Sequence, residues 1–175
     1  MEKSTKDWTG NKASTYKMIA ATSHGSGERE ENDFYATAPK AVKCLMEIEQ
    51  FDKNIWEPAC GKNHITDVLR ENGYNVRTSD IIDRMHDGSV EILDFLNNTE
   101  KWDGDIITNP PYKYAQEFVE KSLEAINDGH KVAMFMKLTF LEGINRKELF
   151  KKNPPKIVWV PRISQGERAE VHMEV

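Results

Sequence analysis

Short apolar runs, each bounded by turn-forming residues, alternate along this chain with longer stretches of helical spacing. The runs predict strands over 54–57, 74–79, 105–108, 131–136 and 157–160, and a weak one near 90–93. Between them the spacing predicts helices from Pro39 to Glu49, Ile65 to Asn72, Tyr114 to Ile126 and Arg146 to Lys151. The first turns Val42, Leu45, Met46 and Ile48 inward; the third does the same with Phe118, Val119, Leu123 and Ile126, and Gly129 lies just past its end. Thr37 is the expected N-cap of the first helix, with Pro39 in the first turn, where a missing N–H costs nothing. Strands that alternate with helices predict an α/β protein with a mainly parallel sheet covered on both faces.

Composition narrows this picture. With 175 residues, 38% of them hydrophobic, one domain is expected, spanning 31–163. Residues 1–30 are polar, with isolated Trp8, Tyr16, Met18 and Ile19, and read as a flexible arm; residues 164–175 read as a tail. The chain is 30% charged with a net charge of −5, which argues against a strong nonspecific nucleic-acid binder while allowing local basic patches. Lys113, Lys137, Arg146, Lys147, Lys151 and Lys152 form either such a patch or a solvated helix face. Two distant cysteines, Cys44 and Cys60, suit a reducing cytoplasm and give no metal spacing. Asp83, His86 and Asp87 read as a solvated loop, so no metal is expected. No apolar stretch is long enough to span a bilayer, and the polar N-terminus is not a signal peptide.

The candidate chemistry begins at Asn109-Pro110-Pro111-Tyr112, directly after the buried-strand run Asp105-Ile106-Ile107-Thr108. Ligands of open α/β sheets bind at the carboxyl edge of the strands. Two prolines stiffen the turn there and remove two backbone donors. The Asn109 side-chain oxygen and the Pro110 carbonyl then form a pair of acceptors, with the Tyr112 ring beyond. That arrangement suits an exocyclic amino group on a flat ring. Such a nitrogen is a poor nucleophile because its lone pair is delocalised; two fixed acceptors draw it toward tetrahedral geometry and free the lone pair. Tyr112 is expected to stack on the base, turned out of a duplex to reach the site. The plain alternative is a stiff turn.

A second turn follows the strand Asn54-Ile55-Trp56-Glu57, where Pro58-Ala59-Cys60-Gly61 leads toward a helix. Small residues in a first βα turn let a ligand approach the backbone. Asn63 follows Gly61 by two, and Asn is the next best residue after Gly for a left-handed backbone. Asp80 ends the following strand about 20 residues beyond that turn, the spacing of a carboxylate that bonds ribose hydroxyls; a turn or cap residue is the alternative. Cys60 is expected to be a small buried residue.

The stretch from Trp102 to Tyr112 resembles the phage and prophage DNA adenine-N6 methyltransferases, which belong to the amino-group methyltransferases that use S-adenosylmethionine. The resemblance covers about residues 20–160. It implies the Rossmann-like class I methyltransferase fold, S-adenosyl-L-methionine as cofactor, methyl transfer to N6 of adenine in DNA, and the cytoplasm of a bacterium or phage-infected host. It implies that Asn109, Pro110, Pro111 and Tyr112 are catalytic. It implies that Tyr35 and Thr37 contact the methionine end of the cofactor, although Ala38 here separates Thr37 from the proline. Glu57, Pro58, Ala59, Cys60 and Gly61 correspond to the cofactor turn and Asp80 to the ribose carboxylate. Asp94 corresponds to a residue near the cofactor's adenine amino group, and Phe95 to one against its ring. Residues 137–143 match a loop beside the substrate cleft, and the arm at 1–30 matches a segment able to fold over the cofactor as a lid. Relatives continue further past the strand at 157–160, so the last strand of the sheet is expected to be missing. Adenine in RNA, cytosine N4 and a protein glutamine amide suit the same tetrapeptide. A shortened relative that binds cofactor or a partner protein without turnover is the alternative from another class.

Overall fold

A strand sends successive side chains to opposite faces, and in this protein that alternation sorts the core into two layers. The structure, a computed structural model, describes residues 36–160 and the backbone of 171–174, all within the unit Asn32–Val175. The expected arm at 1–30, Tyr35 and most of the expected tail lie outside the described residues. In chain order the elements are α1 (Pro39–Ile48), β1 (Asn54–Glu57), α2 (His64–Glu71), β2 (Asn75–Asp80), β3 (Glu91–Ile92) and β4 (Asp105–Thr108). They continue with α3 (Ala115–Ala125), β5 (Val132–Met136), α4 (Lys147–Lys152), β6 (Ile157–Trp159) and β7 (Val171–Glu174).

Trp56, Ile106, Val132, Met134 and Met136 face one core layer, where they meet Phe118 and Val119 of α3 and Leu149 of α4. Their immediate neighbours Ile55, Ile107, Ala133 and Phe135 face the other, against Val42 and Leu45 of α1 and Ile65, Val68 and Leu69 of α2. Both faces of β1, β4 and β5 are therefore dry, which is why these strands read as continuous apolar runs. Each fully buried aliphatic or Phe side chain contributes about 1.5–3 kcal/mol.

The sheet order is β3-β2-β1-β4-β5-β7-β6. β3, β2, β1, β4 and β5 are parallel, with Ile55 opposite Val76 on one side and Asp105 on the other. β7 runs antiparallel to both of its neighbours, β5 and β6. The chain leaves β1 in one direction for β2 and β3, then crosses back to β4 and β5. This reversal opens a crevice at the carboxyl ends of β1 and β4, the place where such sheets bind ligands.

Three expectations need correction. The sheet does not lack its last strand: Val171–Glu174 supply β7, seated between β5 and β6. The N-cap of α1 is Ala38, without a side-chain cap, because Pro39 is already the first helical residue and Thr37 stands one position too early. Ile48 is 42% exposed at the helix end, whereas Ala41, Val42 and Leu45 are buried.

The floor of the crevice is tied down from below. Asp105, buried at the start of β4, accepts the N–H groups of Asp52 (2.6 Å) and Lys131 (2.7 Å), joining the entries of three neighbouring strands. Gly104 precedes it, and a Cβ there would lie 2.4 Å from the Asn54 carbonyl oxygen and 2.9 Å from Trp102 Nε1. Neither neighbour is a flexible side-chain end. Gly104→Ala is expected to destabilise the protein by about 1–3 kcal/mol, read as a lowered urea midpoint with an unchanged m-value.

Candidate active site

β1 ends in Glu57, whose carboxyl group is buried in the strand-to-helix turn. Thr66, in the first turn of α2, donates its backbone N–H to Glu57 Oε2 at 2.9 Å and its hydroxyl to the same oxygen. Burial outweighs these bonds and pushes the Glu57 pKa up to about 8; Asp80 and Asp67 add to the rise. The turn beyond it is fixed by two left-handed residues, Gly61 at φ 57° and Asn63 at φ 62°. Asn63 thus takes the backbone conformation expected of it from sequence.

β2 holds this turn from the side. The Cys60 N–H donates to the Ser79 carbonyl at 3.1 Å, and the Gly61 N–H donates to Asp80 Oδ2 at 2.9 Å. Asp80 Oδ1 accepts from the Ile82 N–H at 3.1 Å. Asp80 therefore shapes the glycine turn as well as standing at the end of β2; the remaining lone pairs of its carboxylate are the ones able to meet a hydroxyl. Cys60 is buried, and that burial, with Glu57 and Asp80 nearby, pushes its thiol pKa well up. The thiol stays protonated and is no nucleophile.

One polar atom in this turn needs a partner. Asn63 Oδ1 is buried and has no hydrogen-bond partner among the described residues. Such an acceptor costs about 1–3 kcal/mol, which a ligand donor reaching it recovers. The close backbone turn, the buried carboxyl of Glu57, the carboxylate of Asp80 and the Asn63 oxygen together fit a ligand that carries hydroxyl or ammonium donors.

The neighbouring strand end supplies the second half. β4 is buried throughout and passes into Asn109, which is partly exposed; Pro110 is buried, and Pro111 sits at φ −54°, ψ 121°. Asn109 Nδ2 donates to the Thr37 hydroxyl oxygen at 2.9 Å across 72 residues of sequence. Thr37 is only 4% exposed, so this bond is shielded from water. It turns the amide nitrogen toward Thr37 and the carbonyl oxygen the other way. Sequence reasoning missed this pairing, because the cap rule assigned the Thr37 hydroxyl to its own helix.

Tyr112 opens a short 3-10 turn through Tyr114 that leads into α3. The Lys137 ammonium lies 4.1 Å from the centre of the Tyr112 ring. Tyr112 and Lys137 line a cleft of about 110 Å³ with Ala115, Met136, Thr139, Phe140 and Arg146. The loop from 137 to 143, expected beside a substrate cleft, forms one of its walls.

The remaining sequence candidates have structural occupations. Asp94 caps the 3-10 turn Phe95–Asn97, accepting from the Leu96 N–H at 3.1 Å and from Asn97 Nδ2 at 2.7 Å. Phe95 is a core residue, edge-on to Trp56 at 5.1 Å and tilted against Phe118 at 5.3 Å. Among the described residues, no group of three or more His, Cys, Asp and Glu side chains is placed to hold a metal, and no helix is long and apolar enough to cross a membrane.

No family model matches the chain, and no curated protein matches it. Solved structures do match. The ribosomal protein L11 methylase of Lactobacillus delbrueckii subsp. bulgaricus aligns over 78% of this chain and 74% of its own, at 11% identity and a TM-score of 0.56. The S-adenosylmethionine-dependent O-methyltransferase of Thermotoga maritima aligns over 84% of this chain and 67% of its own, at 10% identity and a TM-score of 0.57. The magnesium protoporphyrin IX methyltransferase of Synechocystis, solved with S-adenosylmethionine bound, aligns over 95% of this chain and 97% of its own, at 11% identity and a TM-score of 0.56. The fold is that of the class I methyltransferases. Within this methyltransferase fold, the Gly61 turn and the Asn109 turn stand at the ends of adjacent parallel strands, β1 and β4.

Proposed function

We propose that this protein transfers a methyl group from S-adenosylmethionine to the exocyclic N6 amino group of adenine in DNA. The observation that carries the reading is the Asn109 amide, its nitrogen held by Thr37, beside a glycine turn with a buried, unpartnered acceptor on the adjacent strand. When bound, S-adenosylmethionine supplies an electrophilic methyl group on a sulfonium sulfur. Glu57, Gly61, Asn63 and Asp80 would hold the cofactor, with Pro58 and Ala59 keeping the turn narrow and Tyr35 and Thr37 as candidates to contact its methionine end. Asn109 Oδ1 and the Pro110 carbonyl would accept the two amino hydrogens of the target base and so free its lone pair for methylation, one amino proton then leaving to solvent. Pro111 keeps the two acceptors in register, and Tyr112 stacks on the extruded base, displacing Lys137 or using the ring face opposite it. The cytoplasm, where DNA and cofactor meet, is the place of action.

Labelled methyl transfer tests the reading directly. Unmethylated duplex and single-stranded DNA are expected to yield N6-methyladenine. Label found only on RNA, on cytosine or on a glutamine peptide overturns the substrate and keeps the amino chemistry; cofactor binding without any transfer favours the binding module. The Thr37 bond has its own consequence. Thr37→Val removes one neutral hydrogen bond, about 0.5–1.5 kcal/mol. A kcat lowered about three- to tenfold is therefore expected in single-turnover methylation, with Thr37→Ser close to wild type.

A further inference from the structure

Arg146 is built into the cleft with more structure than a surface cation needs. Its Nε–H donates to the Phe140 carbonyl at 2.6 Å, and its Nη2 donates to the Thr139 carbonyl at 3.1 Å. The guanidinium carbon lies 4.4 Å from the centre of the Phe140 ring, which is itself buried and edge-on to Phe150 at 5.9 Å. Gly143 makes room for it: a Cβ at that position would lie 2.4 Å from Nη2 and 2.6 Å from Cζ of Arg146. A ring beneath, two carbonyls at the side and a glycine behind form a seat for this one guanidinium.

The seat fixes the charge without neutralising it. Both anchors are uncharged carbonyls, and among the described residues no carboxylate pairs with Arg146. Two of its five N–H donors are used, so three remain in the fork. The cleft that Arg146 lines with Tyr112, Lys137 and Thr139 contains no acidic residue. A fixed planar cation with spare donors matches the oxygens of a phosphate in two-point geometry. An aromatic wall in the same cleft matches a base. A glutamine amide, by contrast, brings neither an anion nor a flat ring.

We propose that Arg146 is a phosphate-binding residue of the substrate cleft, taking the phosphodiester next to the nucleotide whose base lies at Tyr112. This rests on the amino-methyltransferase reading for the position of the base, and it selects nucleic acid as the substrate class. It does not depend on turnover.

The test is anisotropy of a fluorescent single-stranded oligonucleotide titrated with the full chain over a series of salt concentrations. Arg146→Gln is expected to weaken binding about tenfold on every sequence and to reduce the slope of log K against log salt by about 0.7, the contribution of one contact on a single strand. Arg146→Lys, which keeps the charge and loses the fork, is expected to restore the slope and only part of the affinity. A second measurement needs no variant: an uncharged methylphosphonate linkage scanned along the oligonucleotide should weaken wild-type binding at one position and leave Arg146→Gln indifferent there. Weaker binding with an unchanged salt slope would make Arg146 a loop staple and overturn the proposal, as would wild-type protein that does not bind the oligonucleotide. Binding that passes these tests without methyl transfer upholds the phosphate site and overturns the enzymatic reading instead.

Discussion

Under the amino-methyltransferase reading, Asn109→Ala is expected to lower the rate of methyl transfer by about 10²–10³-fold while leaving cofactor affinity within a factor of about two. The magnitude is that of removing one preorganised hydrogen-bonding group from a reacting centre. Asn109 follows the buried strand β4, and its nitrogen donates to Thr37. On the proposed reading, alanine at this position would leave the Pro110 carbonyl as the one acceptor of the pair, and the target nitrogen would keep its lone pair in the ring. Because the lost interaction strengthens only as the nitrogen becomes tetrahedral, kcat and kcat/KM should fall together. Single-turnover rates with calorimetric binding of S-adenosylmethionine separate the two effects. A variant that loses cofactor binding in step with rate would assign Asn109 to the cofactor site. Asn109→Asp keeps an acceptor but loses the donor to Thr37, and an intermediate rate is expected.

The ligand-free protein should lose stability as the pH rises from about 4.5 to about 8, and Glu57→Gln should abolish that loss. The cause is the buried carboxyl group, whose pKa burial raises to about 8 in the folded state. Between the two values the folded chain holds a proton that the unfolded chain has released, so stability falls with pH. The contribution is complete below the unfolded pKa and gone above the folded one. Its upper bound is on the order of 5 kcal/mol, from a pKa moved from 4.5 to about 8. Glutamine keeps an oxygen to accept from Thr66 and has no charge to desolvate. Urea midpoints measured from pH 5 to 9 should slope downward for wild type and lie flat for Glu57→Gln, with the variant the more stable above pH 8. A wild-type profile without slope would mean that Glu57 is hydrated in solution. Under the cofactor reading the same variant should bind S-adenosylmethionine poorly, since an ammonium would draw the proton off the carboxyl and pair with the carboxylate, which an amide cannot become.

The strands that end at these two groups were legible in the sequence because local rules and tertiary demands agree there. Asp105-Ile106-Ile107-Thr108 and Asn54-Ile55-Trp56-Glu57 are apolar on both faces, as strands inside a covered parallel sheet must be. Helix ends came within one or two residues because Pro39, Gly73 and Gly129 punctuate them, the glycines at φ 88° and 93°. Asn63 could be read as left-handed because few other residues adopt that backbone cheaply. Thr37 was misread for the opposite reason. A local rule favoured the cap, and a partner 72 residues away holds the hydroxyl. Phe95 sits in the core between Trp56 and Phe118, a matter of packing that the Asp-Phe pair does not encode. Gly143 and Arg146 carry a faint signal, a glycine three residues before an arginine, but only the folded loop shows why the two go together.

β7 was the least legible element and has a consequence for how the molecule is made. It is the last described strand to leave the ribosome, yet it lies inside the sheet, between β5 and β6. At a synthesis rate of about 5–20 residues per second, β5 and β6 emerge seconds before the strand that joins them. During that interval β5 carries a row of unpaired backbone groups on one side, and β6 has no partner within the sheet. A nascent chain halted after Trp159 should therefore be open to pairing with foreign strands along β5, and only the arrival of 171–174 covers that edge.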